Sequence, residues 1–332
     1  MTSLETNLAN NKIHLSSCLY NAAGPKCTTE DELLNLFFSS AGAILSKSCT
    51  LEPRDGNPGI RYWDSSDDFS RTDLISVNSM GLPNNGYKFY IDMIPKLYEK
   101  SQFMSIKKPY IISVAGLSLA DNLNIIKDIN KSIKEFNGTM QIGIELNLSC
   151  PNIIGKGQLA YDFNALEKYL AVIFALDLSY IDIFGIKLPP YFELSHFESV
   201  AKIIRKFPIN FITSINSIGN GMVIDPKTDK PVIEPKGGLG GLGGTLVKPT
   251  TLANIYNFKK VLPNIDIIGC GGVTCGRDAY EHILCGASAV QIGTQYMVEN
   301  TKCFDRISSE LKEIMEQKNY KNINEFKGKI IQ

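Results

Sequence analysis

Short apolar runs that close on Asn, Lys, Ser or Gly recur eight times along this chain, each followed by a stretch of helical periodicity. No other feature restricts the fold as much. Such runs alternating with helix-period stretches describe β-strand and helix units, whose parallel strands are buried on both faces by the helices. The runs fall at 18–22, 43–47, 110–115, 141–147, 182–188, 211–216, 265–270 and 289–293. Eight parallel strands with intervening helices close most simply into an α/β fold of the (β/α)8 type, a TIM barrel. A length of 332 residues suits one such barrel, and no linker, repeat or low-complexity tract divides it, so 1–332 reads as a single domain.

Helix starts are marked by capping-box pairs at Thr29 with Glu32 and at Ser195 with Glu198. Two connections, 48–109 and 217–248, are too long for plain strand-to-helix loops, and long ordered loops are usually functional. The first carries a helix over 88–99. In the second, 222–225 and 231–234 flank the turn-like Pro226-Lys227-Thr228-Asp229-Lys230 and read as a small β hairpin over the C-terminal face of the barrel.

The 34 basic and 34 acidic residues cancel, which gives no electrostatic footprint for nucleic acid or a membrane surface. No apolar run approaches the roughly 20 residues of a spanning helix, and the opening MTSLETNLANNK lacks a signal-peptide pattern, so a cytoplasmic location is expected. The eight cysteines show no C-x-x-C pair or zinc spacing, and His14, His196 and His282 stand apart, so no metal is expected.

In a (β/α)8 barrel the active site lies at the carboxyl ends of the strands. Those ends are polar here: Asn21 to Gly24, Lys47 and Ser48, Asn147, Lys187, Asn216 and Ser217, Gly271 and Gly272, Gly293 and Thr294. Lysines and asparagines ending apolar strands carry a desolvation cost unless something polar meets them. Snorkelling lysines and helix-capping asparagines would be the plain alternative. Glycines in the loops after the seventh and eighth runs let backbone amides approach a phosphate, although a Gly-Gly turn alone serves equally as a helix entry. FMN is the phosphate-bearing cofactor that also accounts for the lysines. The run 237–244, GGLGGLGG, lacks the Walker pattern and reads as a loop admitting the flavin's edge.

The strongest motif is Asn147-Leu148-Ser149-Cys150-Pro151-Asn152. Pro151 denies Cys150 a helical start, which holds the thiol on an irregular loop over the mouth. A thiol, with a reference pKa of about 8.5, suits removal of a proton from a carbon next to a carbonyl. The flanking asparagines offer donors and acceptors to a flat heterocycle. An ordinary buried cysteine is the competing reading.

These motifs, with Asn21-Ala22-Ala23-Gly24, Ser46-Lys47-Ser48, Asn78-Ser79-Met80-Gly81-Leu82-Pro83-Asn84, Lys187-Leu188-Pro189-Pro190, Ser214-Ile215-Asn216-Ser217-Ile218-Gly219-Asn220, Cys270-Gly271-Gly272 and Gln291-Ile292-Gly293-Thr294, run in order from about residue 18 to 294. They resemble the class 1A dihydroorotate dehydrogenases, soluble FMN enzymes of pyrimidine synthesis. The resemblance implies that Cys150 takes a proton from carbon 5 of dihydroorotate while hydride leaves carbon 6 for flavin nitrogen 5. It implies that Lys47, Asn78, Asn147, Asn152, Asn216 and Ser217, with the amides of Met80, Gly81 and Leu82, hold the pyrimidine and its carboxylate. Lys187 would sit at the flavin's pyrimidine edge and stabilise the reduced ring's charge. Gly243 or Gly244, Gly271, Gly272, Gly293 and Thr294 would seat the phosphate. Ala22, Ala23, Gly24, Lys47, Ser48, Asn78, Asn147, Ile215, Ser217 and Cys270 would complete the cofactor set. It further implies a homodimer in which fumarate reoxidises the flavin and leaves as succinate.

Two stretches depart from the family pattern. Residues 153–158, Ile153-Ile154-Gly155-Lys156-Gly157-Gln158, have glycines that would loosen a lid. The polar stretch from Trp63 to Thr72 is longer than usual and reads as solvated rather than packed on a partner. Class 1B enzymes share the cysteine but use a different electron acceptor, whereas class 2 enzymes use a serine base. A non-catalytic barrel would be expected to have lost a lysine or the base, and a sugar-phosphate barrel would not need the cysteine loop.

Overall fold

The computed structural model describes residues 2–67, 72–153, 155 and 157–330. Its centre is an eight-stranded parallel sheet whose strands neighbour one another in chain order: β1 Leu19–Asn21, β2 Ile44–Leu45, β3 Tyr110–Val114, β4 Ile142–Asn147, β5 Ile183–Leu188, β6 Phe211–Ser214, β7 Asp266–Cys270 and β8 Ala289–Ile292. Each lies within two residues of its expected bounds. Between them run α1 Glu30–Phe38, α2 Tyr87–Met104, α3 Leu119–Glu135, α4 Phe163–Ile173, α5 Leu194–Ile204, α6 Lys248–Val261 and α7 Gly276–Cys285, with α8 Thr294–Glu299 and α9 Lys302–Gln317 after β8. The Thr29 and Glu32 capping box is formed at α1. The Ser195 and Glu198 box is not: α5 is capped two residues earlier, at Glu193, and begins at Leu194, so Ser195 already lies inside the first turn.

The ladder runs from β1 through β8, β7 and onward to β2, and the seam between β1 and β2 is closed differently. The fully buried Asn21 donates from Nδ2 to the Leu45 carbonyl at 2.7 Å and accepts the Leu45 amide on Oδ1 at 3.0 Å. Its side-chain amide thus stands in for a strand's backbone. Gly42 donates its amide to the Leu19 carbonyl at 2.8 Å, and a Cβ on Gly42 would lie 1.8 Å from the Ser17 oxygen. Only glycine permits that approach.

The amino-terminal end of the barrel is covered by a hairpin, Thr6–Leu8 with Ile13–Leu15, which the sequence reading did not foresee. Asp266 and Gln141, at the starts of β7 and β4, bind its backbone at Ala9 and Lys12. Above it the barrel is filled by side chains such as Phe211, which occupies space a Cβ on Gly185 would take.

Outside the barrel wall, His282 on α7 is completely buried against β7, where Gly269 makes room for its ring. Burial pushes its pKa down to about 4, with Asp278 pulling weakly the other way. The unfolded chain binds a proton near 6.5 and the folded one only near 4, so the stabilisation is complete above 6.5 and is lost as pH falls through that window. His282→Leu is expected to flatten the pH dependence of denaturant stability there by about 3 kcal/mol. An unchanged difference between variant and parent from pH 7 to 4 would refute this.

The two long connections meet over the barrel mouth. Tyr62–Asp64 and Ile75–Asn78 from the first pair antiparallel with Gly240–Gly244 and Ile218–Gly221 from the second, in the order Ile218–Gly221, Gly240–Gly244, Ile75–Asn78, Tyr62–Asp64. The glycine run expected to be a loop is therefore partly a central strand of a roof. Its lack of side chains lets two strands and the cavity beneath approach it: a Cβ on Gly240 would sit 2.5 Å from the Asn78 oxygen. The small hairpin is present in shorter form, Ile224–Asp225 with Lys230–Pro231. The stretch 63–72 begins in the roof strand with a half-buried Trp63, and 68–71 lie outside the described residues.

Candidate active site

Every residue named above for catalysis, substrate or cofactor borders one cavity between the barrel mouth and the roof. Its empty volume is about 1290 Å³, counting the solvent at its open mouth. Strand ends supply the floor, the 147–152 loop and the Met80 to Leu82 turn supply one wall, and the glycine loops after β7 and β8 supply the other.

The asparagines form linked amide pairs. Asn216 donates to Asn147 Oδ1 at 3.2 Å and to Ser149 Oγ at 3.1 Å, and Ser149 Oγ donates to the Lys187 carbonyl at 3.0 Å. Asn152 donates to Asn78 Oδ1 at 2.8 Å, and Asn78 donates to the Gly241 carbonyl at 3.1 Å, tying the cysteine loop to the roof. Asn152 Oδ1 is buried with no partner among the described residues, an acceptor left for a ligand's N–H.

Cys150 is half-buried, and burial pushes its thiol up, opposed by the Asn152 amide and by the charges of Lys47, Lys236 and Arg54. Lys236 also donates to the Pro151 carbonyl at 3.0 Å, holding the loop from the roof side. Nothing in the sequence pattern marks Lys236, because its approach depends on a left-handed turn at φ 56° that folds the second connection back. Lys47 is buried, donates to the Gly24 carbonyl at 2.6 Å, and is pulled below the usual lysine range by burial. Ile154 and Lys156 of the lid stretch lie outside the described residues.

At Met80 to Leu82 the chain turns through φ 72° at Gly81 and 60° at Leu82. A Cβ on Gly81 would fall 2.3 Å from Asn57 Oδ1, and Asn57 in turn donates to the carbonyls of Ser79 and Asn152. Gly81→Ala is expected to misplace this turn and raise KM by at least tenfold with bound cofactor retained; an unchanged KM would remove the turn from the substrate's contacts.

The opposite wall has the chemistry of a phosphate seat. Gly271 and Gly272 take φ 127° and 79°, a Cβ on Gly272 would lie 2.4 Å from Lys248 Cβ, Gly24 faces open space, and a Cβ on Gly293 would only touch Ala22 Cβ at 3.7 Å. Thr294 Oγ1 shares a hydrogen bond with Ser76 Oγ at 2.9 Å, joining α8 to the roof. Ser76, Tyr62, Met297 and Gln291 also border the cavity and were not anticipated as site residues. Gln291 had a legible signal, a polar residue inside an apolar strand. The glycine turns would suit the phosphate, and the buried Lys187 ammonium the ring, of a phosphate-bearing flavin.

A (β/α)8 barrel with an open strand-end cavity, a thiol loop and a glycine-lined anion seat defines a cofactor-dependent enzyme class. The dihydroorotate dehydrogenase family model matches residues 3–315, and the chain belongs to that family, which is flavin-dependent. It is 46% identical over 331 residues to a putative dihydroorotate dehydrogenase A (fumarate) of Streptococcus uberis, covering 99% of each chain. To dihydroorotate dehydrogenase A (fumarate) of Lactococcus lactis subsp. cremoris it is 46% identical over 328 residues, 98% of this chain and 99% of that one. A solved Eimeria tenella DHODH in complex with ferulenol superposes with a TM-score of 0.74 at 17% identity, covering 98% of this chain and 88% of that one, which supports the barrel fold.

Proposed function

We propose that this chain oxidises dihydroorotate to orotate in pyrimidine synthesis with FMN as cofactor and fumarate as the final acceptor. The observation that carries the reading is that the Cys150 thiol, the Lys187 ammonium and the glycine seat open on one cavity in a chain of this family. A bound FMN, held by the glycine turns and Lys187, would supply the hydride acceptor for carbon 6 of dihydroorotate and the electron pair for fumarate. Cys150, as thiolate, takes the carbon 5 proton, and the resulting thiol can return it to the other carbon of fumarate, giving succinate. Lys47 and the amides of Met80, Gly81 and Leu82 hold the substrate carboxylate. Asn78, Asn147, Asn152 and Asn216, with Ser217, meet the pyrimidine edge and fix the face presented to the thiol. Lys187 is a preorganised cation at the floor, where negative charge develops. Ala22, Ala23, Ser48, Ile215 and Cys270 line the cofactor's part of the cavity, with Gly243 and Gly244 above it.

The proposal includes one domain, a homodimer and a cytoplasmic location. Among the described residues no helix is long and apolar enough to cross a membrane. Anaerobic stopped-flow mixing of the protein with dihydroorotate and then with fumarate tests the cycle. Bleaching and then recovery of flavin absorbance is expected. Bleaching without recovery would move the acceptor elsewhere, and no bleaching would overturn the reading.

A further inference from the structure

Below the cavity floor the barrel interior carries a polar relay that the chemistry above does not use. Glu145 on β4 has no solvent exposure, and its Oε2 accepts from Thr213 Oγ1 and from Gln291 Nε2, both at 2.6 Å. Its Oε1 has no partner among the described residues. Gln291 turns its other amide atom to the floor, where Oε1 accepts from Lys187 Nζ at 3.1 Å. An ammonium only donates and an ionised carboxylate only accepts, so the amide between them has one orientation that serves both. A buried carboxylate with a free oxygen is costly unless a cation balances it. Packing gives no reason for one, since Phe211 and Ile183 already fill the space beside Gly185 and Gly143.

The charged and titratable groups facing Lys187 narrow the assignment. They are Glu145 from β4, Cys270 from β7, Cys27 beyond β1 and Lys47 beyond β2, with Tyr20 of β1 beside Gln291. Burial pulls Lys187 down, yet Cys270 first and then Glu145 hold it above the ordinary lysine value. Burial also pushes both thiols up, Cys27 to about 12, so they are neutral near pH 7. Lys187 thus meets one thiol directly, Cys270 Sγ at 3.5 Å, and one carboxylate, Glu145, through Gln291.

We propose that Glu145 is a positioning residue: a buried carboxylate that, through Gln291, aims Lys187 at the cavity floor, offsets its charge, and so sets how strongly a bound flavin draws electrons. The inference rests on the flavin reading above and deepens it. Without Glu145 the ammonium is uncompensated at low pH and loses its proton more readily as pH rises. The flavin's electron demand should therefore rise at low pH and fall away earlier.

The experiment is a sulfite titration of the purified flavoprotein from pH 6 to 9, read by loss of flavin absorbance, alongside the midpoint potential. Glu145→Gln is expected to bind sulfite about tenfold more tightly at pH 6, equivalent to about 30 mV for a two-electron couple. Its affinity should then fall below the parent's before pH 9, so that the profiles cross. Gln291→Leu breaks the relay and keeps the carboxylate; its affinity should decline at lower pH than the parent's, without the gain at pH 6. If Glu145→Gln does not fold, Gln291→Leu decides alone. Profiles parallel to the parent's in the folded variants would overturn the proposal and leave the flavin reading intact. A parent protein that purifies without flavin and takes up none when FMN is added would overturn both.

Discussion

Cys150→Ala is expected to keep its flavin colour and to lose dihydroorotate oxidation by a factor on the order of 10² to 10⁴, the usual contribution of a positioned general base. Cys150 follows β4 while the glycine turns follow β7 and β8 across the barrel, so cofactor retention and proton removal should separate cleanly. Flavin bleaching at the parent rate would dismiss the assignment. The pH dependence follows from the surroundings. Burial raises the thiol while the Asn152 amide, Lys47, Lys236 and Arg54 restrain it. The thiolate is the active form, so the parent's bleaching rate should climb as pH rises through the thiol's range and level off above it. Cys150→Ser should recover only at still higher pH, because a hydroxyl is a far weaker acid.

The largest expected loss of stability is at a residue that does no chemistry. Asn21→Ala removes both side-chain hydrogen bonds across the β1 and β2 seam and leaves the buried Leu45 N–H and C=O without partners. Two unmet backbone groups cost about 1–3 kcal/mol each, or about 4 kcal/mol together. Asn21→Asp should be no better, since it keeps the acceptor, loses the donor and buries a charge. Urea denaturation of flavin-free protein measures the effect without the cofactor's contribution. A loss below about 1 kcal/mol would mean that packing and the Gly42 to Leu19 hydrogen bond hold the seam without Asn21.

Asn21 also shows where the sequence misleads. It ends an apolar run beside Ala22, Ala23 and Gly24, which do border the cavity, and so it read as one of the polar strand ends facing the site. Asn147 and Asn216 have the same local signature and do face it. The difference is made by the neighbouring strand: only β1 and β2 lack a ladder, and an amide is the side chain that can replace one. The barrel was legible because burial on both faces of a parallel sheet writes itself into continuous apolar runs. The roof was not, because Gly240–Gly244 carries almost no side-chain pattern and its partners lie in another connection. Lys236 and Tyr62 stayed hidden for that reason, as they reach the site only once the roof is paired.

That pairing bears on the order in which the protein assembles. Asn78 meets Gly241 across 163 residues of chain, so this contact carries a long loop-closure penalty and waits on most of the barrel between them. The proposed cofactor seat is shared between the roof and the glycine turns after β7 and β8, which line the same cavity. Cofactor capture is then expected to follow roof pairing, and on heating the colour should leave before the barrel melts. A colourless preparation of this protein can hold folded barrels awaiting their last sheet.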